Sequence, residues 1–553
     1  MKTIKTTISV AVAAFAGLAL TSCSESFLDV TSKTEPNSDN YYKTESQAAR
    51  ALIGCYDGWR QVSSNPGSYS FLMASSIMSD ECYGGAGVGD GYGAQLVDRF
   101  DQAASPSDMN IYDQEWKTYY AGVFRCNKLI QAEPDIAWDS EENHRLYMAE
   151  ARALRAILYF DMVRLWGNIP LFTEPSSENR EQADPKDVYA VIFSDLRYAI
   201  DNIPADKYTD KYSFGRITRY AAEALFARAY LFYSGYYGAD PAYIDGTAIA
   251  RPEALAAVED IIASGRYRLL DEFKNLWPAA SLVPIPGELG WDSEKSTYAG
   301  NANEEVILCQ NYTPTQNYDG DNDANRWLVN VGMRNINATP YGKGWGICTP
   351  TPSYYQNFFD LRDNRRTASL IDLAAEGVVS SPDYNAGYKD WREYTGLSFK
   401  KYCPLVFGNG LPATNPDGTA DFMINNAQTY IIVRYADVLL MAAELGSPQA
   451  DSYLNAVRAR AGLPHADPSR QNILDERARE LAYEGIRYWD LLRQGVEVMA
   501  DAVMRSAGTV QNGGQNATVE YDRAKIVATK GLSQIPLNQI SLSHGVLKQN
   551  PGW

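Results

Sequence analysis

The sequence predicts a mainly α fold in which paired helices support a loop-rich, irregular half. Apolar residues recur at helical spacing from residue 41 to about 275 and again from 428 to 499. Between 277 and 425 the chain instead turns to Pro, Gly, Asn and Tyr with few sustained periods. A third observation is residues 473–495, ILDERARELAYEGIRYWDLLRQG, which read as one helix with both apolar and charged positions tightly specified. Helices flank the loop region on both sides. One body over residues 41–553 is therefore expected: a helical part at 41–275, a loop-rich part at 276–425, helical pairs at 426–500 and an irregular closing segment at 501–553.

Taken from the N-terminus, Lys2 and Lys5 precede an apolar run over residues 8–20 and the box Leu20-Thr21-Ser22-Cys23. Charge, length and small residues predict a secretory signal over residues 1–22 rather than a membrane span. Cys23 stands where cleavage would leave it first, and the box resembles a bacterial lipoprotein site. The plainer alternative is an ordinary signal with a chance cysteine. Residues 23–40, polar after Cys23, read as a tether. No other run approaches the ~20 apolar residues that hydrocarbon requires.

Helix patterns follow over residues 46–62, 113–132, 141–166, 185–203, 218–234 and 252–264. Asp184 before Pro185 reads as a cap and a first helical position, and Pro252 before Glu253 as a first turn. Helices arriving in pairs suggest helical hairpins, although no clean 34-residue repeat is visible. In residues 473–495, Glu476, Glu480, Glu484 and Arg487 form a stripe that can pair with itself or with Arg477 and Arg493. A helix-borne di-iron site wants Glu-x-x-His, and this stretch has no histidine, so a structural salt network is the favoured reading.

Residues 473–495, preceded by NAVRARAGLP (455–464) and by YIIVRYADVLLMAAE (430–444), read as a helix, resemble the C-terminal signature of the SusD/RagB family. AEARALRAILYFDMVRLWGNIPL (149–171) is similar to the family's long N-terminal helix with its Gly-x-x-Pro exit, and QNPGW (549–553) to its usual terminus. The resemblance runs from Cys23 to Trp553 and is weakest over 277–425. It implies tetratricopeptide-like helix pairs and an outer-membrane lipoprotein facing outward, acylated at Cys23. It also implies that the protein captures oligosaccharide and hands it, in a hinged motion, to a SusC-like TonB-dependent transporter. Family members also take up peptides, and they bind rather than cleave.

Composition narrows the rivals. Loss of residues 1–22 removes two lysines and moves the formal charge from −18 to −20, which makes nucleic acid and anionic lipid poor partners. Cysteines 55, 82, 126, 309, 348 and 403 form no Cys-x-x-Cys pair and read mostly as buried small hydrophobes, with one or two disulfides allowed. His144, His465 and His544 fall in no metal-ligand spacing, and neither Gly-x-Ser-x-Gly nor His-Glu-x-x-His occurs. A surface glycoside hydrolase, which needs only two carboxylates, and a protein-binding helical scaffold stand as alternatives.

The 38 tyrosines and 11 tryptophans far outnumber the 17 phenylalanines, a balance that suits half-exposed rings stacking on sugar C–H faces. Rings on helices (Trp116, Tyr159, Tyr230, Trp489) are expected in interfaces. Rings in loops are the binding candidates, because the family's ligand surface is built from loops of these regions. They are Tyr83 and Tyr92 in SDECYGGAGVGDGYG (79–93), and Trp291, Tyr298, Trp327, Tyr341 and Trp345. Asp80, Asp90, Asn325 and Arg334 are the polar candidates. The glycine run is not a phosphate loop, since no apolar strand precedes it and no Gly-Lys-Ser/Thr follows. Asp319-x-Asp321-x-Asp323 has calcium-loop spacing, but Ala324 replaces the turning glycine and Asn330 the closing Glu, so a solvated acidic turn is the simpler reading; no other cofactor is expected.

Overall fold

Long helices appear where apolar periodicity and a capping residue coincide. The computed structural model describes residues 41–64, 70–101, 108–208, 213–283, 295–313, 324–406 and 421–553. The signal, Cys23, the tether, Trp291 and the Asp319–Asp321–Asp323 turn lie outside them. The first half holds α1 (Glu45–Ser64), α2 (Phe71–Ile77), α3 (Gly93–Asp98), α4 (Asp113–Ala132), α5 (Glu141–Trp166), α6 (Pro185–Asn202), α7 (Arg219–Tyr237) and α8 (Arg251–Ala263). Asp184 caps α6 as expected, accepting from Lys186 N at 2.9 Å, with Pro185 at the first turn. Gly238 ends α7 in the left-handed conformation at φ 66°.

The helices pack as sequential pairs: α1 on α4, α4 on α5, α5 on α6, α6 on α7 and α7 on α8. The α1/α4 crossing is close because Gly58 faces Gly122, where a Cβ on Gly58 would sit 2.8 Å from the Gly122 Cα. α5 runs through the centre and is buried almost throughout its second half, ending in Trp166, whose ring lies 4.9 Å from Trp116. Such aromatic pairs add ~0.5–1.5 kcal/mol beyond the area they bury. α2 has no counterpart in the periodicity. Its seven residues are all buried, so they present no amphipathic stripe to read, and Ser70 caps it.

The middle of the chain is loop-rich but not structureless. Strand β1 (Cys82–Gly84) and β2 (Ala86–Gly87) come from the first half, β3 (Val306–Gln310) opens the middle, and α9 (Arg326–Val331), β4 (Cys348–Pro350) and β5 (Trp391–Arg392) follow. β1 pairs antiparallel with β4, and β2 with β5, which stitches the glycine-rich segment of the first half onto the middle of the chain. The stretch 430–444 is corrected: Tyr430–Arg434 is a strand, β6, paired antiparallel with β3, and only Tyr435–Glu444 is helical (α10). A β-branched run buried on both sides packs better in a ladder than on a helix.

The second correction concerns residues 473–495. They form α12 (Arg470–Glu480), following α11 (Ala450–Arg460), then a break, then α13 (Arg487–Leu492). Tyr483 and Gly485 take positive φ of 63° and 75° at the break, and the freed Tyr483 N–H is satisfied by Glu81 Oε1 at 2.8 Å. The segment after residue 501 is less irregular than expected, since β7 (Gly508–Asn512) and β8 (Gln515–Val519) make a hairpin.

The charged ladder is a buried salt network. Arg434 pairs with Glu484 at 2.8 Å and Glu305 at 3.0 Å and also reaches Glu480, while Arg365 meets Asp363, Glu476 and Glu480 at 2.6–2.8 Å. Arg477 bridges Asp437 and Asp490, Arg487 holds Asp80 through two 2.8 Å bonds, and Lys401 holds Glu484 at 2.7 Å. These groups tie α10, α12 and α13 to the middle segment. Among the described residues no cluster of His, Cys, Asp and Glu could hold a metal, all six cysteines are buried and free, and no helix is long and apolar enough to cross a membrane.

Candidate functional site

The glycine-rich segment is shaped by close contacts that only glycine permits. A Cβ on Gly84 would lie 2.2 Å from the Ala94 carbonyl oxygen, and one on Gly85 would lie 2.1 Å from that of Gly346. The two short pairings, β1 with β4 and β2 with β5, then bring residues 88–92 out as an exposed loop beside the middle of the chain. Its most exposed ring is Tyr92, at 64%.

Arg392, almost fully buried, holds this loop from beneath. Its Nη1 donates to the Gly91 carbonyl and Gln95 Oε1, both at 2.9 Å, and its Nη2 to the carbonyls of Val88 and Asp90 at 3.0 and 2.9 Å. Its guanidinium carbon sits 4.1 Å from the centre of the Tyr92 ring. One face of that ring is thus turned to a fixed cation, and the exposure belongs to the other.

A polar rail runs alongside. Asp90 Oδ2 accepts from Gly87 N at 2.8 Å and pairs with Arg334 Nη1 at 3.1 Å. Arg334 Nε reaches Asp390 Oδ2 at 2.8 Å, and Asn335 Nδ2 donates to the same oxygen at 2.8 Å. Trp345 is half-buried, with the Arg326 guanidinium 5.1 Å from its ring centre. It precedes Gly346, whose carbonyl accepts from Trp391 Nε1 at 3.0 Å and where a Cβ would lie 3.0 Å from that of Arg334.

The structure therefore brings Tyr92, Asp90 and Arg334 together, with Trp345 on the adjoining segment. Other sequence candidates are placed differently. Tyr83 is buried with its hydroxyl on the Ser506 carbonyl, Tyr341 is buried on Glu376, and Trp327 is 2% exposed against Phe399. Asn325 is fully buried as the cap of α9, accepting from Trp327 N at 3.0 Å, and Asp80 is spent on Arg487. None of these offers a free face. Tyr298 is half-buried, donates to Asn301 Oδ1 at 2.5 Å, and sits on a segment fixed to Asn275 rather than to the Tyr92 loop.

Arg392, Asp390, Asn335 and Trp391 were missed by sequence reasoning. The available signal was the aromatic run around them, with Tyr384, Tyr388 and Tyr394, since it sits in the loop-rich part and its rings stack on one another (Tyr384 on Tyr388 at 5.1 Å). Burial also shifts nearby acids. Desolvation pushes the Glu393 carboxyl up to about 8 and that of Asp98 to about 6, with Arg99 bridging the two. Cavities of about 530 and 310 Å³ open where the helical part meets residues 302–311, and one of about 340 Å³ where it meets residues 539–547; none is lined by Tyr92, Trp345 or Arg334. What this surface offers is an exposed ring with donors and acceptors beside it, not an enclosed pocket.

Two family models match the chain: the SusD family over residues 304–553, and a family described as starch-binding and associating with the outer membrane over residues 26–231. The chain belongs to the SusD family. A SusD-like protein of Formosa agariphila is 24% identical over 527 residues, covering 87% of this chain and 90% of its own. A solved laminarin-binding SusD-like protein superposes with a TM-score of 0.70 at 26% identity, covering 93% of this chain and 100% of its own. Surface glycan-binding protein A from Bacteroides thetaiotaomicron, solved in complex with laminarihexaose, gives 0.71 at 25% identity over 92% of this chain and 100% of its own. These family structures share the mainly α, tetratricopeptide-like architecture described above.

Proposed function

We propose that this protein is a cell-surface lipoprotein that captures oligosaccharide on the Tyr92 surface and passes it to a SusC-like TonB-dependent transporter in the outer membrane. The observation that carries the reading is the exposed Tyr92 ring held over Arg392, with the Asp90–Arg334–Asp390 rail beside it. A flat ring takes the apolar face of a sugar, and the rail takes its hydroxyls. Two of the solved relatives, one laminarin-binding and one bound to laminarihexaose, make a glucan the first ligand to try.

The rail also bears on ligand charge. Arg334 is neutralised by Asp90 and Asp390, and the mature chain carries a formal charge of −20, so a neutral glycan is favoured over an acidic one. Anchoring is assigned to acylated Cys23, where more than one acyl chain makes membrane attachment stable. Weak, reversible capture suits a carrier that must release its cargo.

Retention of the soluble form, residues 24–553, on immobilised neutral and acidic glycans, with chromatography of the eluted sugar, tests this. Retention on one neutral class with the sugar recovered intact is the expected result. Cleaved products would favour a hydrolase. Absence of retention would favour peptide cargo or a protein-binding scaffold.

A further inference from the structure

Residues 391–393 occupy a singular place. Trp391 donates to the Gly346 carbonyl at 3.0 Å and so holds the turn that carries Trp345. Arg392 grips the 88–91 loop through three bonds to its carbonyls and reaches Gln95 of α3 with a fourth. Glu393 receives Arg99 from the end of α3, and its backbone N donates to Asn512 Oδ1 of the β7–β8 hairpin at 2.6 Å. Three consecutive side chains thus fasten three separate parts of the surface. A strand would send them to only two sides. Here Glu393 adopts a left-handed φ of 58°, uncommon for a residue other than Gly, Asn or Asp, and it is 3% exposed. Strain of this kind persists where the surroundings over-determine it, and it concentrates at functional sites.

We infer that Arg392 is the positioning residue of the ligand surface: it fixes the 88–91 loop and thereby the face that Tyr92 presents. The inference rests on the proposed glycan reading for its consequence, but not for its geometry. Each of the four terminal N–H groups of the guanidinium has its own acceptor, and among the described residues Arg392 makes no ion pair. A buried cation whose charge is met by loop carbonyls ties its own solvation to the loop conformation. Arginine is required because a planar fork can serve four acceptors in an arc, whereas an ammonium has three donors and no plane. A loop held before the ligand arrives loses less entropy on binding.

The test compares wild type, Arg392→Lys, Tyr92→Ala and the double variant, using amide hydrogen exchange without ligand and titration with laminarihexaose. Arg392→Lys is expected to speed exchange at Val88 and Asp90 by about tenfold or more, a change of ~1.4 kcal/mol in local opening. The amides of α5, which make no contact with residues 391–393, serve as the unchanged reference. The same variant is expected to weaken binding about tenfold, and to add little once Tyr92 is already Ala, because it acts through that ring. Unchanged exchange at Val88 and Asp90, or losses from the two substitutions that multiply, would overturn the inference. Should Arg392→Lys fail to fold, wild type decides alone: the Val88 and Asp90 amides, which donate to Asp390 O at 3.0 Å and Gly87 O at 3.1 Å in exposed residues, must be protected like core amides, and free-loop exchange there would overturn the inference. Failure of wild type to bind laminarihexaose would count against that ligand, while the exchange data still judge the clamp.

Discussion

Glu480→Gln tests whether the charged ladder is architecture. Glu480 is fully buried and takes three guanidiniums, with Arg365 Nη1 at 2.8 Å and with Arg434 and Arg460 closer still. Those arginines, the nearest opposite charges, hold its carboxyl far below the usual range despite the desolvation that opposes it. The substitution keeps the shape, removes one negative charge, and turns an amide N–H₂ toward groups that only donate. Removing one partner of a buried ion pair costs about 3–5 kcal/mol. With about 2.1 cal/mol/K of unfolding entropy per residue over a mature chain of about 530 residues, that is a fall of roughly 3–5 °C in melting temperature. Urea unfolding at pH 7 should show a lower midpoint at unchanged slope. Because the folded carboxyl is depressed, its contribution is present above the ordinary glutamate value and lost as pH falls, so the variant and wild type should converge in acid. A midpoint unchanged within about 0.5 kcal/mol would refute the structural assignment.

Three further outcomes are expected. Trp327→Ala should cost about 3–5 kcal/mol in unfolding free energy, because the ring is 2% exposed and its removal leaves a cavity; a stable variant with lost ligand binding would return Trp327 to the binding surface. Gly85→Ala should disorder the Tyr92 loop, since its Cβ would lie 2.1 Å from the Gly346 carbonyl oxygen, and unchanged exchange at Val88 would contradict this. Glu81 is fully buried and its carboxyl is pushed up to about 8, chiefly by desolvation. The folded state therefore holds a proton that the unfolded state releases above about 4.5. Its contribution to stability is full below that value and declines as pH rises through 8, by at most ~1.4 kcal/mol per pH unit. Glu81→Gln keeps the acceptor for Tyr483 N and should become progressively more stable relative to wild type from pH 6 to 9; a constant difference would show that Glu81 does not titrate in this range.

Long helices were legible because local signals agreed with the fold. The bounds expected for residues 113–132 and 141–166 are those observed, and Asp184 caps where it should. The errors arose where tertiary context overrides local preference. Tyr430–Arg434 becomes a strand because β3 waits to pair with it, and residues 473–495 break because Glu81 supplies an acceptor for Tyr483 N. At the candidate site, the family resemblance pointed to loop residues that include Tyr92, Asp90 and Arg334, but it could not separate an exposed loop ring from a buried one. Tyr83 is covered by a carbonyl 423 residues away, and Arg392 meets the loop across about 300 residues, contacts that no local pattern encodes.

Capture of a glycan on the Tyr92 surface is tested most directly by calorimetric titration of residues 24–553 with laminarihexaose and with the glycan retained in the affinity screen, for wild type and Tyr92→Ala. The account predicts saturable binding by wild type, a loss of at least about tenfold in Tyr92→Ala, and an unchanged melting temperature, as befits a side chain that is 64% exposed. Binding of equal strength by both proteins would place the ligand elsewhere and contradict the account.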